Sequence, residues 1–118
     1  AASLAAALRE SFTFLHTTAV IGVMADKDIP GILAPLRQVV DHVVATQNTS
    51  PRCASADTVG RLAAELWGEA AVVVEPDLAQ ALATAQRDAE QSGGGVVVTG
   101  SVVTVGEARQ LLGAETAP

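Results

Sequence analysis

The sequence predicts an α/β fold, a mainly parallel sheet with helices on both faces. Three observations lead there. Four short β-branched runs, residues 19–25, 43–46, 71–74 and 96–99, are apolar on both faces, as strands covered from both sides should be. Segments with apolar residues at helical spacing lie between them. Two runs end abruptly in polar residues: Ile21-Gly22-Val23-Met24-Ala25 runs into Asp26-Lys27-Asp28, and Val96-Val97-Val98 into Thr99-Gly100-Ser101. A buried parallel strand delivers polar groups to the rim of its sheet in this way.

The elements follow in order. Residues 3–10 have helical spacing and are followed by Phe12 and Phe14. After the first strand, Asp28 is a candidate N-cap, Pro30 suits a first helical turn, and Ile29, Ile32, Leu33 and Leu36 share one face. The second strand precedes a helix whose face is Val59, Leu62, Ala63 and Leu66, stopped at Gly68. The third precedes one capped at Asp77, with Leu78, Ala81, Leu82 and Ala85 inward and Gly93 as its stop. The fourth leads into a helix over residues 106–112, and residues 113–118 read as a frayed polar tail. Strict alternation of strand and helix implies a Rossmann-like sheet with right-handed crossovers. Such a fold starts with a strand, and this chain starts with a helix. The expectation is a sheet lacking its first strand, cut at the N-terminus, with a central gap that is either closed up or left as edges open to a second copy.

Composition narrows the function. The 118 residues suggest one domain, and 49% hydrophobic residues allow a real core. Aromatics make up only 3%, so that core is Val, Leu, Ile and Ala. A net charge of −6 argues against nucleic acid as a partner. No apolar run approaches the roughly 20 residues of a membrane span. Residues 1–8 lack a basic leader and meet Arg9 and Glu10 at once, which argues against a signal peptide. The lone Cys53 cannot form an internal disulfide and fits a reducing cytoplasm.

Ligands of open α/β sheets bind outside the carboxyl ends of the strands. That rule selects Asp26, Lys27 and Asp28 after the first strand, and Gln47, Asn48, Thr49, Ser50 and Arg52 after the second. It adds Glu75 after the third, and Thr99, Gly100 and Ser101 after the fourth. Lys27 offers a compact charge for a carboxylate or phosphate; the plainer reading is a solvated lysine beside a helix cap. Gly100-Ser101 allows close approach of a backbone to a ligand, or is an ordinary turn. Arg52 reaches an anion, or is a solvated loop arginine. Gly93-Gly94-Gly95 precedes its strand, so it reads as a helix stop and not as a phosphate loop. His16 and His42 fall at the opposite rim and lack metal-ligand spacing with Cys53; they read as structural or solvated. Trp67 reads as packing at a helix end. No catalytic triad, Cys/His pair or metal set is evident.

Three pieces at three strand ends carry a resemblance. Gly22-Val23-Met24-Ala25-Asp26-Lys27-Asp28, Thr49-Ser50-Pro51-Arg52, and Val98-Thr99-Gly100-Ser101 with Gly106-Glu107-Ala108-Arg109 behind it stand in the order and spacing of one family. The chain resembles, over nearly its whole length, the C-terminal domain of folylpolyglutamate synthase / dihydrofolate synthase in the Mur ligase superfamily. The resemblance implies residues 1–118 as one Mur ligase-type C-terminal domain, part of a longer cytoplasmic enzyme. It implies an ATP-dependent ligase that adds L-glutamate to folate or dihydropteroate through an acyl phosphate. ATP and Mg²⁺ would be held mainly by an N-terminal domain, and this domain would close over the nucleotide. Lys27 and Ser101 would contact glutamate carboxylates. Asp26 would orient Lys27 or lie near the nucleotide, with Asp28, Arg52, Thr99 and Gly100 in the same vicinity. The family's Asp-x-Ala-His-Asn-Pro element, expected just ahead of the first helix, is absent, as is the phosphate loop. The chain alone is therefore expected to be inactive. One alternative is a stand-alone Rossmann-like module that binds a nucleotide or amino acid without chemistry and has a complete sheet; the other is a purely structural or interaction domain whose rim residues are merely solvated.

Overall fold

The computed structural model describes residues 16–116. The helix expected over residues 3–10, with Phe12 and Phe14, lies outside them. The element order is β1 (Thr17–Ile21), α1 (Ile29–Leu36), β2 (His42–Ala45), α2 (Ala56–Trp67), a 3-10 turn (Glu69–Ala71), β3 (Val72–Val74), α3 (Leu78–Ser92), β4 (Gly95–Thr99) and α4 (Val102–Thr116). The four strands form one sheet in the order β3-β2-β1-β4, and every pairing is parallel.

Alternation along each strand divides the core into two layers. Ala19, Ile21, Val43 and Ala45 point to the face covered by α1 and α2, against Leu33, Leu36, Val59 and Ala63. Val20 and Val44 point to the opposite face, against Leu78, Ala81, Leu82 and Ala85 of α3 and Ala108 of α4. Both faces of β1 and β2 are thus apolar because both are covered, as the runs imply. β3 differs. It is an edge strand, and Val73 and Val74 are 48% and 41% exposed.

Of the two expected outcomes, the structure has the closed sheet. β1 pairs with β2 over Thr18–Ile21 and with β4 over Thr17–Ile21, so the middle of the sheet is filled. β1 takes the central place between β2 and β4. The outer edges of β3 and β4 carry no partner strand among the described residues.

Caps end the helices where the sequence implies. Asp28 Oδ1 accepts from the Gly31 amide at 3.2 Å, and Ser55 Oγ from the Thr58 amide at 3.2 Å. Gly68 and Gly93 both have positive φ at the ends of α2 and α3. Asp77 occupies the N-cap position of α3 but makes no side-chain cap bond. The glycine run is a helix stop: the Gly94 amide closes on Ala89 O at 2.9 Å, and the Gly95 amide starts β4 by donating to His16 O at 3.0 Å. Trp67 packs beside the first core layer and donates from Nε1 to Val40 O at 2.7 Å. α4 starts at Val102 and runs to Thr116, longer at both ends than residues 106–112. Ser101 supplies its start, and good helix formers such as Ala114 and Glu115 carry it past Gly113.

Candidate functional site

The apolar run 19–25 is not one strand. β1 stops at Ile21, and the chain turns across the carboxyl rim at Gly22. Met24 then bridges Cys53 antiparallel; the Ala25 amide donates to Arg52 O at 2.8 Å, and the Ala54 amide to Val23 O at 2.8 Å. This crossing ties the segment after β1 to the segment after β2. It also sets the geometry of Asp26 and Arg52. Arg52 Nη2 donates to Asp26 Oδ2 at 2.8 Å, with the two side chains 71% and 52% exposed. Asp26 therefore pairs with Arg52, and no ion pair among the described residues uses Lys27. Lys27 is exposed on the turn that its own amide closes on Met24 O at 3.2 Å. Asp28 is engaged as the cap of α1.

β4 reaches the same rim beside that crossing. The Gly22 amide donates to Thr99 O at 3.3 Å. Gly100 has φ +116°, and a Cβ there would collide with the Gly22 backbone. Its lack of a side chain lets the two strand ends meet closely. Ser101 then caps α4: its Oγ accepts from the Thr104 amide at 3.1 Å.

Asn48, only 6% exposed, joins the three strand ends. Its Nδ2 donates to Thr104 Oγ1 at 2.9 Å and to Ser101 Oγ at 3.3 Å. Its Oδ1 accepts from the Ser50 amide at 2.9 Å. Thr104 is fully buried and passes the network on, donating to Gly22 O at 2.9 Å. On the outer side, the Glu107 carboxylate accepts from both the amide and the hydroxyl of Thr49. Thr104 falls outside the rim rule because it lies inside a helix; its signal is the capping spacing from Ser101.

Two clefts flank the N-terminal half of α4. One, of about 510 Å³, is lined by Ile32, Thr99, Gly100, Ser101, Val105 and Arg109 among others. The other, of about 610 Å³, has Asn48, Thr49, Asp77 and Glu107 in its wall. Their charges differ in sign. Arg109 is the ionisable side chain of the first, and two carboxylates mark the second. The exposed Arg109 guanidinium gives the cleft beside Ser101 a positive charge. Lys27, Asp26 and Arg52 stand outside the lining of both. No group of three His, Cys, Asp or Glu side chains within common metal reach occurs at this rim among the described residues. The rim as described does not fit a Mg²⁺ cage.

Known proteins resemble the chain in both sequence and fold. The profile of the family "Mur ligase, glutamate ligase domain" matches residues 1–102. The dihydrofolate synthase/folylpolyglutamate synthase of Mycobacterium tuberculosis is 38% identical over 96% of this chain and 26% of its own length. A crystal structure of the Mycobacterium tuberculosis folylpolyglutamate synthase complexed with ADP and AMPPCP superposes with a TM-score of 0.91. It is 37% identical over 95% of this chain and 27% of the other. The bifunctional folylpolyglutamate synthase/dihydrofolate synthase of Yersinia pestis, complexed with AMPPNP and Mn ion, gives 0.76 at 31% identity over 94% of this chain and 25% of the other. The chain thus spans about a quarter of the length of these relatives. By the extent of the profile match, it belongs to the family of Mur ligase glutamate ligase domains.

Proposed function

We propose that this chain is the C-terminal domain of an ATP-dependent amide ligase that adds L-glutamate to folate or dihydropteroate. The observation that carries the proposal is the convergence of the family's motifs on one carboxyl rim, beside a cleft with a cationic wall. A relative 38% identical is named dihydrofolate synthase/folylpolyglutamate synthase, and a folylpolyglutamate synthase 37% identical has been crystallised with ADP and AMPPCP.

In the proposed chemistry the acceptor carboxylate attacks the γ-phosphorus of ATP, and ADP leaves. The glutamate amine then attacks the acyl carbon, and phosphate leaves with the former carboxylate oxygen. The amine must be neutral to attack, and water must be kept away from the acyl phosphate. This domain's residues would hold the incoming amino acid. Lys27 would supply one charge for a glutamate carboxylate; the Ser101 hydroxyl and Arg109 would supply contacts in the cleft. Arg52 is held only by an exposed ion pair, worth about 0–1 kcal/mol, so an anionic ligand can draw it from Asp26. Asp28 acts as a helix cap, and Thr99 and Gly100 shape the wall. ATP phosphates and Mg²⁺ would be bound by the N-terminal domain, since the described rim has neither a phosphate loop nor a metal set.

A gap-free sheet is what a stand-alone binding module would show. The ligase reading accommodates it as well: a further strand can join at the outer edge of β4, which carries no partner strand among the described residues.

The test is Lys27→Ala in the ligase containing this domain. Loss of one charge-assisted contact typically costs about 1.5–3 kcal/mol. The glutamate KM should therefore rise roughly ten- to more than a hundredfold, with the folate KM little changed. An unchanged glutamate KM would overturn the assignment of Lys27.

A further inference from the structure

We infer that His16, His42 and Asp88 form a binding site for one divalent transition metal ion of the zinc class, at the rim opposite the proposed ligase site. The three residues come from three elements. His16 immediately precedes β1, His42 opens β2, and Asp88 lies on α3. The amino ends of β1 and β2 are adjacent in the sheet, which brings the two rings together at a centroid distance of 4.4 Å and an angle of 84°. Both rings turn a nitrogen toward the same carboxylate.

The spacing suits a metal. His16 Nε2 lies 3.1 Å and His42 Nδ1 3.3 Å from Asp88 Oδ2. Ligands about 2.0–2.1 Å from a tetrahedral zinc ion lie roughly 3.3 Å apart along each tetrahedral edge. One ligand atom from each residue falls within 4.8 Å of both others, so small rotations of the side chains close the set. Two imidazoles and a carboxylate select Zn²⁺, Ni²⁺, Co²⁺ or Cu²⁺ over Mg²⁺ and Ca²⁺, which prefer an all-oxygen shell.

The surroundings support the same function. The Thr18 hydroxyl donates to the same Asp88 oxygen, Oδ2, that faces both imidazoles, and so orients the carboxylate, as outer-shell donors do around metal ligands. The side chains of His16, Asp88 and His42 are 21%, 30% and 42% exposed, so an ion can enter and water can complete the tetrahedron. A bound ion would link β1, β2 and α3 at one point. The competing explanation is a metal-free hydrogen-bond cluster that makes the same link.

Calorimetric titration of the tag-free, chelator-stripped chain with ZnCl₂ separates the two, with Co²⁺ absorption as a second readout. One site of micromolar or tighter affinity is expected, together with cobalt d–d bands of tetrahedral intensity. At a hundredfold excess over Kd the melting temperature should rise by about 10 °C. His42→Gln should weaken binding at least tenfold; His42 is partly exposed, so circular dichroism should show an intact fold. Asp88→Asn should do the same where it folds. Absence of zinc binding overturns the inference and leaves the hydrogen-bond cluster. So does binding that survives His42→Gln, or binding that is lost instead in Cys53→Ser.

Discussion

Asn48 shows how little of a site's wiring its motifs reveal. Position alone puts it on the rim, among several polar neighbours after β2. Nothing in the sequence says that it faces inward, because its partners Ser101 and Thr104 lie 53 and 56 positions further on. The buried amide satisfies one hydroxyl on each and the Ser50 amide as well. Asn48→Ala would leave the Thr104 hydroxyl and the Ser50 amide short of partners in a nearly dry site. The expected loss is about 1–3 kcal/mol of stability, read as a lower urea midpoint at unchanged slope. Lys27→Ala is the contrast. Its side chain is exposed and makes no ion pair among the described residues, so stability should change by less than about 0.5 kcal/mol. Under the proposed assignment Lys27 acts on ligand, whereas Asn48, selected by the same rim rule, holds the fold. The same limit hid the histidine cluster: Asp88 lies 72 positions from His16 and 46 from His42, and only the sheet brings the three together.

At the scale of elements, hydrophobic pattern located every described strand and helix, and it failed where a segment changes role midway. Run 19–25 reads as one strand because Val23 is as buried as Ile21. Its burial comes from the antiparallel crossing with the Cys53 segment, and no periodicity distinguishes that from a longer β1. Run 71–74 reads as covered because it is all apolar, yet β3 is an edge. The junction of β4 and α4 was legible as a turn but not as a joint with β1. Gly100→Ala tests that joint. The substitution forces a side chain onto a left-handed backbone and against Gly22. The expected cost is about 2–3 kcal/mol or more, the sum of strain and overpacking, seen as a lower melting temperature. Ser101→Ala should cost about 1 kcal/mol through loss of the α4 cap. Any rise in glutamate KM in that variant must therefore be measured well below its melting temperature, where a weakened cap leaves the chain folded.

The whole chain presents two rims with different chemistry. One has histidines with a carboxylate and ties the amino ends of β1 and β2 to α3. The other has Lys27, Arg52, Ser101 and Arg109 around the carboxyl ends and a cationic cleft beside α4. Neither a phosphate loop nor a Mg²⁺ cage accompanies the second rim among the described residues. With ATP, Mg²⁺, folate and L-glutamate, the chain of 118 residues should therefore form no ADP above background. Amide-resolved NMR of the same sample separates a half-site from a bare scaffold. Glutamate bound through one or two charged contacts in an open cleft should be weak, with a Kd of about 1 mM or higher, equivalent to about −4 kcal/mol or weaker. Its shifts should cluster at residues 26–28 and 99–102 and be lost in Lys27→Ala. Clustered shifts without turnover would mean that the domain brings a preformed amino-acid site to a partner domain that supplies the nucleotide. A folded spectrum with no shifts would place the glutamate contacts beyond this chain's own surface, formed only when the two domains close. Steady ADP formation would mean that a complete nucleotide site exists within these residues, and the proposed division of labour between domains would be wrong.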